Sequence, residues 1–124
     1  MSERNSASNK DSRGIMTDKV VILVTAAKLT EGKRIARHLL DSKLAACVNI
    51  LPPIRSLYRW QGKLEDAKEY LLIIKTTREL FAELKTAIAK YHSYVTPEII
   101  CLPIVDGSAE YLQWVSDSVK RIEN

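Results

Sequence analysis

Residues Ser56 to Thr77, SLYRWQGKLEDAKEYLLIIKTT, constrain the fold more than any other stretch of this 124-residue chain. Leu57, Tyr58 and Trp60 lead into Gln61-Gly62-Lys63, and the apolar run Tyr70-Leu71-Leu72-Ile73-Ile74 comes back out. β-Favouring segments on both sides of a glycine-centred turn predict a long β-hairpin, its arms running from about Ile54 to Trp60 and from about Lys68 to Thr76. The far end carries Tyr58 and Trp60 beside Glu65, Asp66, Lys68 and Glu69. A protruding two-stranded ribbon is marginally stable in water, and its open edge presents unpaired backbone groups. The simplest cover is a second copy of the same chain, so assembly is expected before any chemistry.

The other elements follow from periodicity. Lys19 to Ala26 is a β-branched run, short enough for a central strand buried on both faces. Thr30 can cap a helix over about Glu31 to Lys43, with Ile35, Ala36, Leu39, Leu40 and Leu44 inward and His38 on the polar side. Ala46 to Ile50 reads as a strand with Cys47 and Asn49 on one face, interrupted by Pro52-Pro53, which cannot donate to a ladder and marks a bend on an edge. Thr76 and Glu79 have capping-box spacing ahead of a second helical stripe through Leu80, Phe81, Leu84, Ala87, Ile88 and Tyr91. Pro97 holds His92 to Pro97 as a loop, Glu98 to Leu102 is a last central strand, and Ser108 caps a third helix with Leu112, Val115, Val119 and Ile122 inward.

The order is βαββαβ with an extra C-terminal helix. Two right-handed crossovers joined by a hairpin give an α+β, ferredoxin-like sandwich: an antiparallel sheet with two helices on one face. The other face has at most the third helix for cover and is expected to pack on a partner. Met1 to Met16 is polar and reads as a disordered extension, leaving 17–124 as one domain.

Several function classes are set aside. The net charge of +4 is dispersed, with no Lys/Arg run of the kind that binds nucleic acid. Apolar runs such as Val20 to Val24 fall far short of the roughly 20 residues of a membrane span. The polar N-terminus lacks the apolar centre of a secretion signal, and Cys47 and Cys101, outside any CxxC pair, read as buried reduced thiols, so a cytoplasmic location is expected. With four glycines and no phosphate-binding loop, no enzyme template fits, and a Cys-His dyad with His92 lacks an orienting partner.

Five side chains can carry binding chemistry. His92, at a helix C-terminus in a loop with Tyr94 and Glu98, reads either as a metal or anion ligand or as a cap for the last helical carbonyls. Lys75 ends an apolar strand, where it either holds an anion in a cleft or snorkels to solvent. Cys47 is a soft-metal ligand or core, and Tyr58 and Trp60 stack on a ligand or pack an interface.

Ala46-Cys47-Val48-Asn49, Ser56 to Lys63, Ile74-Lys75-Thr76, His92-Ser93-Tyr94 with Thr96-Pro97-Glu98, and Tyr111-Leu112-Gln113-Trp114 resemble, in order and spacing, the CutA divalent-cation tolerance family. The resemblance runs from about Lys19 to Trp114. It implies a homotrimer of ferredoxin-like protomers, a non-catalytic role in response to copper and other divalent ions, and Cu²⁺ or another divalent cation as a non-obligatory ligand. In members assigned a copper site the ligands are a cysteine late in the first strand and two adjacent histidines after the second helix; here those positions are Val24, Tyr91 and His92, and only His92 matches. Ser93 stands where the family usually has proline, which is expected to loosen the loop. The trimeric architecture also resembles nitrogen-signalling regulators. That alternative implies a small anionic ligand in an inter-subunit cleft lined by Lys75, Tyr58, Trp60, His92, Tyr94 and Glu98. A scaffold trimer without a ligand is the third reading.

Overall fold

A computed structural model describes residues 17–122. The predicted leader, 1–16, lies outside the described residues. In chain order the elements are β1 (Lys19–Ala26), α1 (Leu29–Asp41), β2 (Cys47–Ile50), β3 (Ile54–Trp60), β4 (Lys63–Thr77), a 3-10 turn (Arg78–Leu80), α2 (Phe81–Tyr91), β5 (Ile99–Pro103) and α3 (Ala109–Ser118).

The sheet is antiparallel, with β4 and β1 at its centre in the order β2-β4-β1-β5. β2 pairs with β4 from Cys47↔Lys75 to Ile50↔Leu72, and β3 takes over from Ile54↔Glu69 to Trp60↔Lys63. They form one edge broken at Pro52-Pro53, as expected of residues that cannot join a ladder. Each βαβ crossover spans one intervening strand, which is the ferredoxin-like arrangement.

The central ladder between β1 and β4 ends at Ala26↔Tyr70, so the segment of β4 before Tyr70 pairs with β3 alone. The hairpin therefore projects beyond the sheet. Its turn is Gln61-Gly62, with φ of 51° and 79°. Two successive left-handed residues give the tight connection whose twist suits a hairpin, and glycine takes one of them without Cβ strain.

Alternation sorts the core. Val20, Ile22 and Val24 of β1 and Leu72 and Ile74 of β4 face the helices and meet Ile35 and Leu39 of α1 and Leu84 and Ile88 of α2, all essentially inaccessible. Each such side chain contributes about 1.5–3 kcal/mol of transfer free energy. On the opposite face lie Val21, Leu23, Leu71, Ile73, Ile100 and Leu102, none of them fully buried. α3 packs on β4 and β1, with Val115 buried and Tyr111 beside Cys47, so it covers only part of that face.

Some local expectations are corrected. α1 begins at Leu29, with Lys28 at the cap position and no side-chain cap, so Thr30 lies inside the helix, and Leu40 is exposed. The capping box at Thr76 does not form. Thr76 belongs to β4 and its hydroxyl donates to the Leu44 carbonyl at 2.7 Å, so a 3-10 turn intervenes before α2. Ser108 does cap α3, accepting from the Tyr111 N–H at 3.4 Å, but Ile122 is exposed beyond the helix end. Both cysteines are free and half-buried, not fully buried: Cys101 packs against the core, where burial pushes its thiol pKa up, while Cys47 lies on the less covered face.

Candidate functional site: a cleft between the hairpin and the loop after α2

α2 ends at His92, whose extended backbone (φ −91°, ψ 140°) turns the chain back across the end of β1. The His92 side chain is fully buried. Its Nε2 lies 2.7 Å from the Thr25 carbonyl oxygen, and its Nδ1 lies 3.0 Å from the Tyr94 backbone nitrogen. The Tyr94 N–H donates to Nδ1, so Nδ1 presents its lone pair and Nε2 carries the hydrogen donated to Thr25. Both ring nitrogens are thus engaged in holding the loop on β1. Among the two readings of His92, this geometry is a structural tie; it reaches across to β1 instead of bonding the last carbonyls of its own helix.

Glu31, in the first turn of α1 and buried, completes the tie. Its two oxygens accept from the Ser93 backbone N–H at 2.5 Å and the Ser93 hydroxyl at 3.0 Å, and Oε2 lies 3.7 Å from His92 Nδ1. Ser93 therefore fastens the loop by two bonds that proline could not make, contrary to the expectation that it loosens it.

Tyr94 leads from this tie to the cleft. Its ring lies against His92, with centroids 4.8 Å apart, and its hydroxyl donates to Glu69 Oε2 at 2.8 Å. Burial, then the bond to Glu69, then the nearby charges of Glu69 and Glu31 and the phenol of Tyr58 raise the Tyr94 pKa well above that of an ordinary phenol. The hydroxyl stays a donor. Glu69 itself is only 5% exposed. It sits where β4 leaves the shelter of β1 and enters the ribbon, which explains how a strand buries a carboxylate.

Beyond Glu69 opens a cleft of about 790 Å³ between β3 and the 93–98 loop. Tyr58, Trp60, Tyr94 and Glu98, four of the residues expected there, line it together with Glu69 and Arg55. Lys75 does not. It lies opposite Cys47 in the β2–β4 ladder, where its ammonium contacts Asn49 Oδ1, so the cation foreseen for an anionic ligand is directed elsewhere. His92 stands behind Tyr94 and is likewise not part of the lining. Arg55 is the cleft's own cation, and Asp66 holds it through two bonds, Nε–Oδ1 at 2.9 Å and Nη2–Oδ2 at 2.7 Å. That guanidinium keeps the Asp66 carboxyl below its usual range.

Of the positions that correspond to copper ligands, only that of His92 carries an imidazole or thiol. Val24 is core, and Tyr91 packs its ring 4.6 Å from that of His38, which is half-buried and not fully solvated as expected. Among the described residues no three His, Cys, Asp or Glu side chains come together as a metal centre. Sequence reasoning missed Glu69 and Arg55 as lining residues, and the Glu31–Ser93 link joins positions 62 apart with no local signal. For Glu69 the available signal was an acidic residue directly preceding the apolar run of β4.

The family model described as CutA1 divalent ion tolerance protein matches residues 20–118. The chain is 48% identical over 99 residues to the divalent-cation tolerance protein CutA of Archaeoglobus fulgidus, a span of 80% of this chain and 96% of that protein. It is 43% identical over 98 residues to the protein of the same description from Thermus thermophilus, covering 79% of this chain and 95% of the relative. Among solved structures, the Archaeoglobus fulgidus protein, described as periplasmic, superposes with a TM-score of 0.80 at 46% identity, covering 82% of this chain and 99% of that one. CutA1 from Oryza sativa superposes with a TM-score of 0.81 at 42% identity, covering 84% and 95%.

Proposed function

Because the chain belongs to the CutA1 divalent ion tolerance family, we propose that it acts in tolerance of divalent metal ions, copper among them, as a non-catalytic homotrimer in the cytoplasm. The observation that carries this reading is the family match across almost the whole folded domain. The local chemistry nearest to a metal site is the His92–Glu31 pair, Nδ1 and Oε2 at 3.7 Å. A divalent ion there would take the Nδ1 lone pair from the Tyr94 N–H and a carboxylate oxygen from Ser93. Cu²⁺ prefers several nitrogen or oxygen ligands, so a neighbouring protomer or solvent would supply the rest. The test is a chelator-competition titration of Cu²⁺ into wild-type and His92→Ala protein, with the assembly mass recorded on the same samples. One ion per protomer, lost in His92→Ala at unchanged mass, is the expected result; equal affinity in both proteins would remove His92 from the site. The cytoplasmic placement fails if fractionated cells yield the chain outside the cytoplasm, as the description of the Archaeoglobus protein would suggest.

A second reading is favoured by one observation, the cleft. A volume of about 790 Å³, with the aromatic rings of Tyr58, Trp60 and Tyr94 among polar and charged side chains, is in the range of a small-molecule site. Under it the protein is a regulator that senses a small ligand and relays its presence to a partner protein.

A further inference from the structure

We propose that the cleft between the hairpin and the 93–98 loop takes an organic cation, an ammonium carried on an apolar body, with Glu69 as its counter-charge. The proposal rests on the second reading above, that a small ligand occupies this cleft, and fixes the ligand's chemical class.

The sign of the site follows from which charges are free. Glu69 and Glu98 face the cleft, and Arg55, its one cationic wall residue, is already held by both oxygens of Asp66. Glu69 is the critical group. It is 95% removed from solvent on the exposure of 5%, it accepts one bond from the neutral Tyr94 hydroxyl, and no cation pairs with it among the described residues. A carboxylate that far from water is costly unless a positive charge accompanies it. Within this chain Glu69 borders the cleft, so a positive charge placed in the cleft would reach it.

The walls decide between kinds of cation. A divalent metal ion needs several oxygen, nitrogen or sulfur ligands around one point, and no three such acidic, imidazole or thiol side chains converge among the described residues. An ammonium needs one carboxylate and gains further from the faces of electron-rich rings. Tyr58 and Trp60 supply those rings, at 39% and 43% exposure, on the β3 side of the same cleft. The volume leaves room for a body well beyond the charged head. An anion finds no free cation here among the described residues, since Lys75 is turned towards Asn49.

The experiment compares three probes of one shape, benzylammonium, benzyl alcohol and benzoate, by ligand-observed NMR and calorimetry at low salt near neutral pH. The proteins are wild type, Glu69→Gln, which keeps an oxygen for the Tyr94 hydroxyl, and Trp60→Ala, which removes a ring from the cleft wall, each compared at equal assembly mass. Benzylammonium is expected to bind wild type at least tenfold more tightly than the other two probes. That preference is lost in Glu69→Gln, and affinity falls severalfold in Trp60→Ala. If Glu69→Gln does not fold, loss of benzylammonium binding in Trp60→Ala together with its competition by NaCl serves in its place. Benzoate or benzyl alcohol binding as tightly as benzylammonium overturns the cation class while leaving a small-ligand cleft. Binding of none of the three to folded wild-type protein overturns the cleft reading as well. Displacement of benzylammonium by stoichiometric Zn²⁺ in wild type but not in Glu69→Gln would make the site metallic and also overturn the proposal.

Discussion

At the residue scale, Tyr94 links the loop tie to the cleft, and its consequences are measurable. Its hydroxyl satisfies a buried carboxylate oxygen of Glu69, so Tyr94→Phe removes the donor and leaves the acceptor, a change that costs about 1–3 kcal/mol. The pH dependence has a definite sign. The folded-state pKa of this acid lies above the ordinary phenol value of 10.0, so folding favours the protonated form. That contribution is fully present below about pH 10 and is lost as the pH rises through the folded-state value. Urea denaturation from pH 7 to 11 should therefore show wild-type stability falling above pH 10 more steeply than that of Tyr94→Phe. The comparison isolates this residue because Tyr111, whose pKa burial also raises, is common to both proteins. Identical slopes would show that Tyr94 does not titrate as its surroundings demand. Tyr94 was legible in the sequence as a site residue, Glu69 only as one acid among those beside the ribbon's aromatics, and Glu31 not at all. A buried carboxylate looks like any surface acid until the fold shows which water it has lost.

At the element scale, what the sequence predicts well is what periodicity alone decides. β1 and β3 match their expected bounds because a dense β-branched run and a Pro-Pro break have no competing interpretation. The caps expected for α1 and α2 do not form, whereas that of α3 does: Thr76 gives its hydroxyl to Leu44, and Thr30 lies inside α1, whose Gly32 packs close to β4, where a Cβ would stand 3.3 Å from Leu72 Cδ1. β4 is longer than predicted because its charged first half, Lys63 to Lys68, has no apolar run to mark it and is held by pairing with β3. The hairpin turn provides the test at this scale. Gly62 has φ 79° and open space around its Cα, so Gly62→Ala meets no clash and costs only the backbone strain of a left-handed residue, about 1 kcal/mol. Because the ribbon projects beyond β1, that cost should appear as local opening. Amides in the pairs Trp60↔Lys63 and Tyr58↔Glu65 should exchange about fivefold faster, while core amides of β1 are unchanged. Uniform acceleration in both places would show the hairpin and core to open as one unit.

At the scale of the whole molecule, exposed apolar residues gather on the last strand and on the hairpin. On the face turned away from α1 and α2, Ile100 and Leu102 of β5 are 44% and 43% exposed, and among the described residues β5 has a pairing partner, β1, on one side only. The projecting ribbon adds Leu57 and Leu64, both more than 60% exposed. A free edge beside a bare apolar face, with a long ribbon able to reach past its own sheet, is the kind of surface on which the proposed assembly would pack. Self-association is the expectation that the hairpin and the bare face raise; the number three comes from the resemblance to the family, since nothing in one chain counts its copies. If copies meet through this face, a carboxylate placed there must be buried on assembly without a partner, at a cost of several kcal/mol per site. Ile100→Glu combined with Leu102→Glu should therefore lower the sedimentation mass from three times the 14.0 kDa chain to that of the single chain. Arg34→Glu, on the exposed side of α1, should leave it unchanged. The helix-side core is remote from both substitutions, so the dissociated variant should keep its circular dichroism spectrum while unfolding at lower urea, because association with a folded partner stabilises by mass action. A wild-type mass of one chain, or a double variant that still sediments as wild type, would place the covering surface somewhere other than this sheet face.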